Sequence, residues 1–408
     1  MIDVQTLQQG NTGTAHPVAA LLAEGQSVWQ DDISRAMLQD GSLRRRIDEV
    51  GIRGLTSNPT IFERAIAAGH AYDRDIERWL LQGKDAREIF EAVAVDDIRA
   101  AADLFRPVYD ESSGGDGFVS IEVSPTAARD PEATLVEAQR LWAAVDRPNL
   151  FVKVPSTDQS VSVIEKLLSD GINVNITLLF SVADYERVAL AYLAALEKRR
   201  SAGQPIDHVA SVASIFVSRL DAHVDKLLDA KITESGDPIQ QDRLRHLLGK
   251  AAVANARLAF ARFRQIFAGP RWEALEEAGA RVQRPLWAST ATKNPAYRDV
   301  IYVEELVGPD TVTTVPRATL DAFLDHGVVR RTVDRDVDGA WRVIEEIASV
   351  GIDLDAITDN LQEEGIATFN KSYDALLASI EAKGTSLSGW NRSEPPANTS
   401  VRSWDVAP

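Results

Sequence analysis

Lys153 is a lone charge inside an apolar, β-prone run, Leu150-Phe-Val-Lys-Val-Pro155. A run of this kind, closed by a proline, reads as a strand buried on both faces. An unpaired ammonium there costs several kcal/mol, so the lysine needs a reason. One reason is pairing with a buried carboxylate, or a place at the wet end of the strand. The other is chemistry, because only a neutral amine attacks a carbonyl and burial disfavours the charged form. An amine of pKa ~10.4 is about 0.04% neutral at pH 7 and one of ~7.5 is roughly a quarter neutral, a gain of several hundred-fold. Such a lysine suits a Schiff base with a ketose carbonyl.

Imine chemistry needs helpers, and the chain offers them at comparable places. Forming and hydrolysing the imine requires a proton shuttle, which Glu122 at the end of Phe118-Val-Ser-Ile-Glu-Val123 can supply, directly or through water. Breaking the carbon–carbon bond next to the imine requires a base for the departing hydroxyl, and Asp31 is the candidate. Asn58, Asn175, Thr177 and Ser214 are placed to bind hydroxyls, and Ser289 stands at the end of another strand pattern. Asn175 and Thr177 share one face of their strand, since side chains alternate. Arg219 and Lys293 follow two of the strands and could hold a phosphate, the arginine in bidentate fashion. Taken singly these residues have ordinary explanations: Asn58 before Pro59 as a turn or cap, Asp31 or Asp32 as an N-cap, the serines as structure. Together they are harder to dismiss, because almost every strand pattern delivers a polar group at the same end.

Those strands are short and alternate with helices. The strand patterns fall at 27–31, 54–57, 118–123, 150–154, 172–178, 208–214, 284–289 and 311–316. Helical spacing is expected over 16–24, from Asp32 onward, over 61–107, 131–145, from 157 or 158 to about 171, over 181–200, over 216–280 with a break near Ser235-Gly-Asp-Pro238, and over 319–323, 338–350 and 354–383. Eight alternations call for a closed parallel sheet, an α/β (β/α)8 barrel of the TIM class with extra helices, whose chemistry sits at the C-terminal ends of the strands. No Gly-x-Gly-x-x-Gly follows the first strand, which disfavours a doubly wound sheet. Residues 1–383 are expected to form one catalytic barrel domain with an N-terminal helical arm, and 384–408, rich in Ser, Pro and Asn, an extended or disordered tail.

Composition narrows the function. The chain has 408 residues, no cysteine, a net charge of −17 and a pI near 4.9. The missing cysteines exclude a disulfide framework and a thiolate metal site, and they fit a reducing, cytoplasmic setting. The acidity argues against a nucleic-acid partner. No apolar run of about 18 residues is present, so no membrane partner is expected, and Met1-Ile-Asp-Val-Gln lacks the order of a signal peptide. Six histidines without a closely spaced pair argue against a metal site. No cofactor is expected, and the assembly is expected to be a monomer or homodimer.

Four stretches, Gly54-Leu-Thr-Ser-Asn-Pro-Thr-Ile-Phe62, Phe151-Val-Lys-Val-Pro-Ser156, Asn173-Val-Asn-Ile-Thr-Leu-Leu-Phe-Ser181 and Ala213-Ser-Ile-Phe-Val-Ser-Arg-Leu-Asp221, resemble the transaldolase family. Trp29-Gln-Asp-Asp-Ile-Ser-Arg35 and Trp287-Ala-Ser-Thr-Ala-Thr-Lys-Asn-Pro295 look like its longer bacterial subfamily. The resemblance runs in chain order from about 16 to about 383. It implies a metal-free barrel enzyme of the pentose phosphate pathway, acting on sugar phosphates. Such enzymes move a dihydroxyacetone unit from sedoheptulose 7-phosphate to glyceraldehyde 3-phosphate, giving erythrose 4-phosphate and fructose 6-phosphate. It implies Lys153 as the Schiff-base lysine, Glu122 as the acid/base and Asp31 as the catalytic aspartate, with the adjacent Asp32 as the alternative. Asn58, Asn175, Thr177 and Ser214 match substrate contacts, and Arg219 a phosphate contact. Some members carry an arginine soon after the seventh-strand serine. Here Ser289 is followed by Thr290-Ala-Thr-Lys293, and Lys293 takes that place.

Overall fold

The structure, a computed structural model, describes residues 16–388. Eight parallel strands close into one barrel: β1 Gln26–Gln30, β2 Gly54–Leu55, β3 Val119–Glu122, β4 Leu150–Pro155, β5 Val174–Leu179, β6 Ser211–Phe216, β7 Arg284–Ala288 and β8 Thr311–Val315. Each strand pairs with the next in sequence, and β1 closes the ring against β8 from Gln26–Thr311 to Gln30–Val315. The (β/α)8 barrel with additional helices is therefore the fold.

Register does the positioning. Glu122 on β3 lies opposite Lys153 on β4, and Lys153 lies opposite Asn175 on β5. All three therefore point to the same side of the sheet, the barrel interior. Two residues below Lys153 the same face of β4 carries Phe151, whose ring stacks on Phe118 at 4.3 Å and approaches Trp29 at 6.0 Å. These rings form the floor beneath Lys153. Gly54 in the two-residue β2 has a clear role, because a Cβ there would stand 2.7 Å from the Trp29 ring. Beneath the rings, Asp116 accepts hydrogen bonds from Ser27 and from Trp29 Nε1, with Arg53 and Arg284 just under 4 Å away. The N-terminal face of the barrel thus carries a tied polar network, the face where stability is expected to reside.

The helices depart from expectation where periodicity runs across a break. The stretch 61–107 is three helices, Pro59–Ala67, Asp73–Leu80 and Ala86–Glu111. Gly83 at φ +79° and a capping box between Asp85 and Glu88 make the second break, and the third helix continues four residues past Pro107. The stretch 216–280 is four helices, Ser218–Glu234, Pro238–Arg245, Ala251–Ile266 and Pro270–Glu276. The helix expected from Asp32 starts at Arg35, capped by Ser34. β6 begins at Ser211 instead of 208, since Asp207 and His208 are exposed. The final helix, Leu354–Ser388, passes the expected end at 383. Residues 1–15 and 389–408, which include most of the expected tail, lie outside the described residues. Among those described, no helix is long and apolar enough to cross a membrane.

Candidate active site

At the C-terminal mouth of the barrel the strand ends surround a cavity of about 230 Å³. Asp31, Asn58, Lys153, Thr177, Ser214, Arg219, Ser289 and Lys293 line it, together with Thr56, Arg64, Phe216 and Phe369. Glu122 and Asn175 are not among its lining residues; each reaches it through a neighbour. The sequence-derived set is therefore gathered at one place from strands spread over 260 residues of chain.

Lys153 is 5% exposed. Its Nζ donates to Glu122 Oε2 at 3.2 Å and to the Ser57 carbonyl at 3.4 Å. Of the two explanations that the sequence offers, the pairing with a buried carboxylate is present, and Lys153 also lines the cavity. Burial pushes the Glu122 carboxyl above its ordinary range, and the Lys153 ammonium only partly offsets this. Its Oε1 is buried with no partner among the described residues, as is the Thr177 hydroxyl. Two unsatisfied oxygens at one site are what a pocket for a polar ligand or water leaves behind.

Asp31 follows β1 and accepts from Thr56 Oγ1 at 2.7 Å. The adjacent Asp32 does not line the cavity; burial raises its carboxyl. The expectation that Asn58 acts as a helix cap is met. Its side-chain oxygen caps the helix Pro59–Ala67 through the Ile61 N–H at 3.0 Å, and it lines the cavity. Asn175 sits one layer down, accepting from Ser214 Oγ at 2.7 Å and donating to Ser120 Oγ at 3.1 Å. It holds Ser214 in place instead of facing the cavity. Ser289 Oγ lies 3.1 Å from Ser218 Oγ. Ser289 at φ +55° and Leu178 at φ +60° both occupy the left-handed region directly at strand ends. Each costs on the order of 1–3 kcal/mol, a strain that concentrates at working sites.

Three cations rim the opening. Arg219 lies with its guanidinium against the Phe216 ring, and burial lowers its pKa. Burial, with repulsion from Arg219 and Arg64, lowers that of Lys293. None of the three has an ion pair among the described residues, in a chain of 61 acidic side chains. Arg64 has no counterpart in the sequence reading. It projects from the second turn of a helix, four residues after Thr60, and helical spacing from Thr60 and Ile61 was the available signal. Phe369, from the C-terminal helix, was also missed. Among the described residues no group of three or more His, Asp or Glu side chains gathers as metal ligands would.

A family model described as transaldolase/fructose-6-phosphate aldolase matches residues 28–380. A transaldolase of Trichodesmium erythraeum is 45% identical over 361 residues, covering 88% of this chain and 95% of that protein. A transaldolase of Mycolicibacterium paratuberculosis is 47% identical over 362 residues, with the same coverage. A protein named transaldolase 2 from Nostoc sp. is 44% identical over 367 residues, covering 89% of this chain and 96% of its own.

Proposed function

The chain belongs to the transaldolase/fructose-6-phosphate aldolase family, and on that premise we propose that it is a transaldolase whose chemistry runs through Lys153. It moves a dihydroxyacetone unit from sedoheptulose 7-phosphate to glyceraldehyde 3-phosphate and releases erythrose 4-phosphate and fructose 6-phosphate. The observation that carries this reading is a buried lysine at 3.2 Å from a carboxylate, beneath a rim of three cations that have no ion pair among the described residues.

The Lys153 amine adds to the ketose carbonyl, and Glu122, whose carboxyl burial pushes above its ordinary range, supplies the proton with which the carbonyl oxygen leaves as water. The resulting imine accepts the electrons of the bond between C3 and C4 as Asp31 takes the C4 hydroxyl proton. The aldose phosphate departs and a three-carbon enamine stays on the lysine. Its nucleophilic carbon attacks the acceptor aldehyde, Asp31 returns the proton to the new alkoxide, and water hydrolyses the imine with Glu122 again moving the proton. Asn58, Thr177 and Ser214 contact the sugar hydroxyls, with Asn175 fixing Ser214. Arg219, Lys293 and Arg64 hold the phosphate, and Ser289 borders it. Charge-assisted contacts of this kind are the strong ones.

The test is borohydride trapping. After incubation with fructose 6-phosphate and reduction, peptide mass mapping is expected to find a three-carbon adduct on Lys153. An adduct on another lysine, or none, overturns the reading.

A further inference from the structure

The wall of the cavity above Lys153 belongs to no strand. It is the C-terminal helix, Leu354–Ser388, laid across the ends of β4 and β5. Gln362 Nε2 donates to the carbonyls of Ser156 at 3.0 Å and Leu178 at 3.2 Å, the groups just beyond the Lys153 and Thr177 positions. One turn on, Gly365 lies so close to Leu178 that a Cβ there would stand 2.8 Å from its side chain. One turn further, Phe369 presents its ring to the amine, with the centroid 5.8 Å from Nζ. Ser372 then accepts from Thr60 Oγ1 at 2.8 Å, on the helix that carries Arg64. Phe369 is 5% exposed, and anchors before and after it fix its ring.

We propose that Phe369 is a specificity-determining residue that commits the enamine on Lys153 to an aldehyde instead of to water. The inference rests on the imine reading given above. The enamine has two fates. In transfer, the electron pair on its nucleophilic carbon forms the new bond to the acceptor carbon, whose oxygen takes the proton. In the alternative, the same carbon takes a proton from solvent and water adds across the imine. The carbon–nitrogen bond then breaks, releasing dihydroxyacetone and restoring the amine. The second path consumes one water in hydrolysis, which balances the one released in imine formation. It needs no co-reactant, so only access opposes it.

Carbon atoms pack at about 3.5–4.0 Å. A ring centred 5.8 Å from Nζ therefore leaves no space for a water layer between ring and amine on the side that it covers once a three-carbon unit is bound. The acceptor has another entrance, since its phosphate can ride the rim of Arg64, Arg219 and Lys293. Water has no such handle. Closing a site against water is a recognised way to protect a reactive intermediate.

The experiment compares wild type, Phe369→Ala and Phe369→Leu. Free dihydroxyacetone is measured with fructose 6-phosphate alone, and transfer with erythrose 4-phosphate added. The ratio of release to transfer is expected to rise by about tenfold in Phe369→Ala and by less in Phe369→Leu, which refills part of the ring's volume. If Phe369→Ala does not fold, the leucine variant still reads the ratio, which loss of stability alone does not move. An unchanged ratio in a variant that still yields the reduced adduct on Lys153 overturns the proposal. Failure of the wild type to yield that adduct overturns the underlying reading instead.

Discussion

In the proposed reaction Glu122 acts as an acid, and burial, which pushes its carboxyl above the ordinary range, favours that role. The site around it is apolar on one side, and the single ammonium of Lys153 does not restore an ordinary carboxyl. Glu122→Gln is expected to lower kcat by about 10²–10⁴-fold, the usual worth of a positioned acid or base. It should also remove the alkaline limb of the pH–rate profile, since the wild-type acid is lost as pH rises through its raised pKa. A profile that keeps the limb would assign it to another group. Arg64 is the second residue-scale test. Arg64→Ala should lower kcat/KM for fructose 6-phosphate about tenfold, equivalent to ~1.4 kcal/mol, and leave unphosphorylated fructose nearly unaffected. Equal losses on both substrates would detach Arg64 from the phosphate. The sequence singles out Lys153, Glu122 and Asp31 because each lies at or near the C-terminal end of a strand pattern. Asp31 was not separable from Asp32 until β1 fixed which of the two faces the cavity. Arg64 and Phe369 were not readable, because a helix side chain reaches the mouth only through packing that no local pattern encodes.

The elements behind the site are tied by buried acids. Asp221, on the helix Ser218–Glu234 that also carries Arg219, accepts from the Ala252 N–H at 2.7 Å and the Tyr302 hydroxyl at 2.8 Å. Four residues on, Asp225 accepts from the Gly249 N–H at 2.9 Å and the Tyr297 hydroxyl at 2.7 Å. The segment after β7, which carries Lys293, is thereby fastened to the helix of Arg219. Burial raises the Asp221 carboxyl to about 6 despite these two donors. A carboxyl whose folded pKa exceeds its unfolded value favours folding when protonated. Its contribution is therefore full below about pH 4 and lost as pH climbs to about 6. The interval from 3.8 to about 6 corresponds to about 3 kcal/mol. Urea unfolding of wild type and Asp221→Asn at pH 4 and 7 should differ in pH dependence by that order, with the variant flatter; parallel curves would refute it. On the opposite side, Gln362→Ala removes two bonds to strand-end carbonyls. It should cost about 1–2 kcal/mol, a fall in Tm of a few degrees. Strands were the more legible elements, since an apolar run between turn residues has few other uses. Helix breaks such as 68–72 were hidden because apolar spacing stays nearly in phase across them.

Over the whole molecule, a charge of −17 surrounds a mouth of three cations, while the substrate is an anion. The two fields differ in range. At 0.01 M salt the Debye length is about 30 Å and the approaching phosphate feels the entire acidic surface; at 0.1 M it is about 10 Å and only the rim remains. The kcat/KM for a sugar phosphate should therefore rise between those concentrations and fall again near 1 M, with a maximum between. A monotonic fall would mean that the rim dominates at every distance. The eightfold alternation made the closed barrel legible at this scale, whereas its roof was not, because Leu354–Ser388 reads from sequence as one more surface helix. That roof has a consequence in time. The chain leaves the ribosome from its N-terminus, so β8, ending at Val315, emerges before Gln362 and Phe369. A nascent chain can thus close its barrel and present Lys153 while the covering helix is still in the exit tunnel. For that interval the amine is open to any small carbonyl compound nearby, and the helix that withdraws it from such encounters is translated after all eight strands.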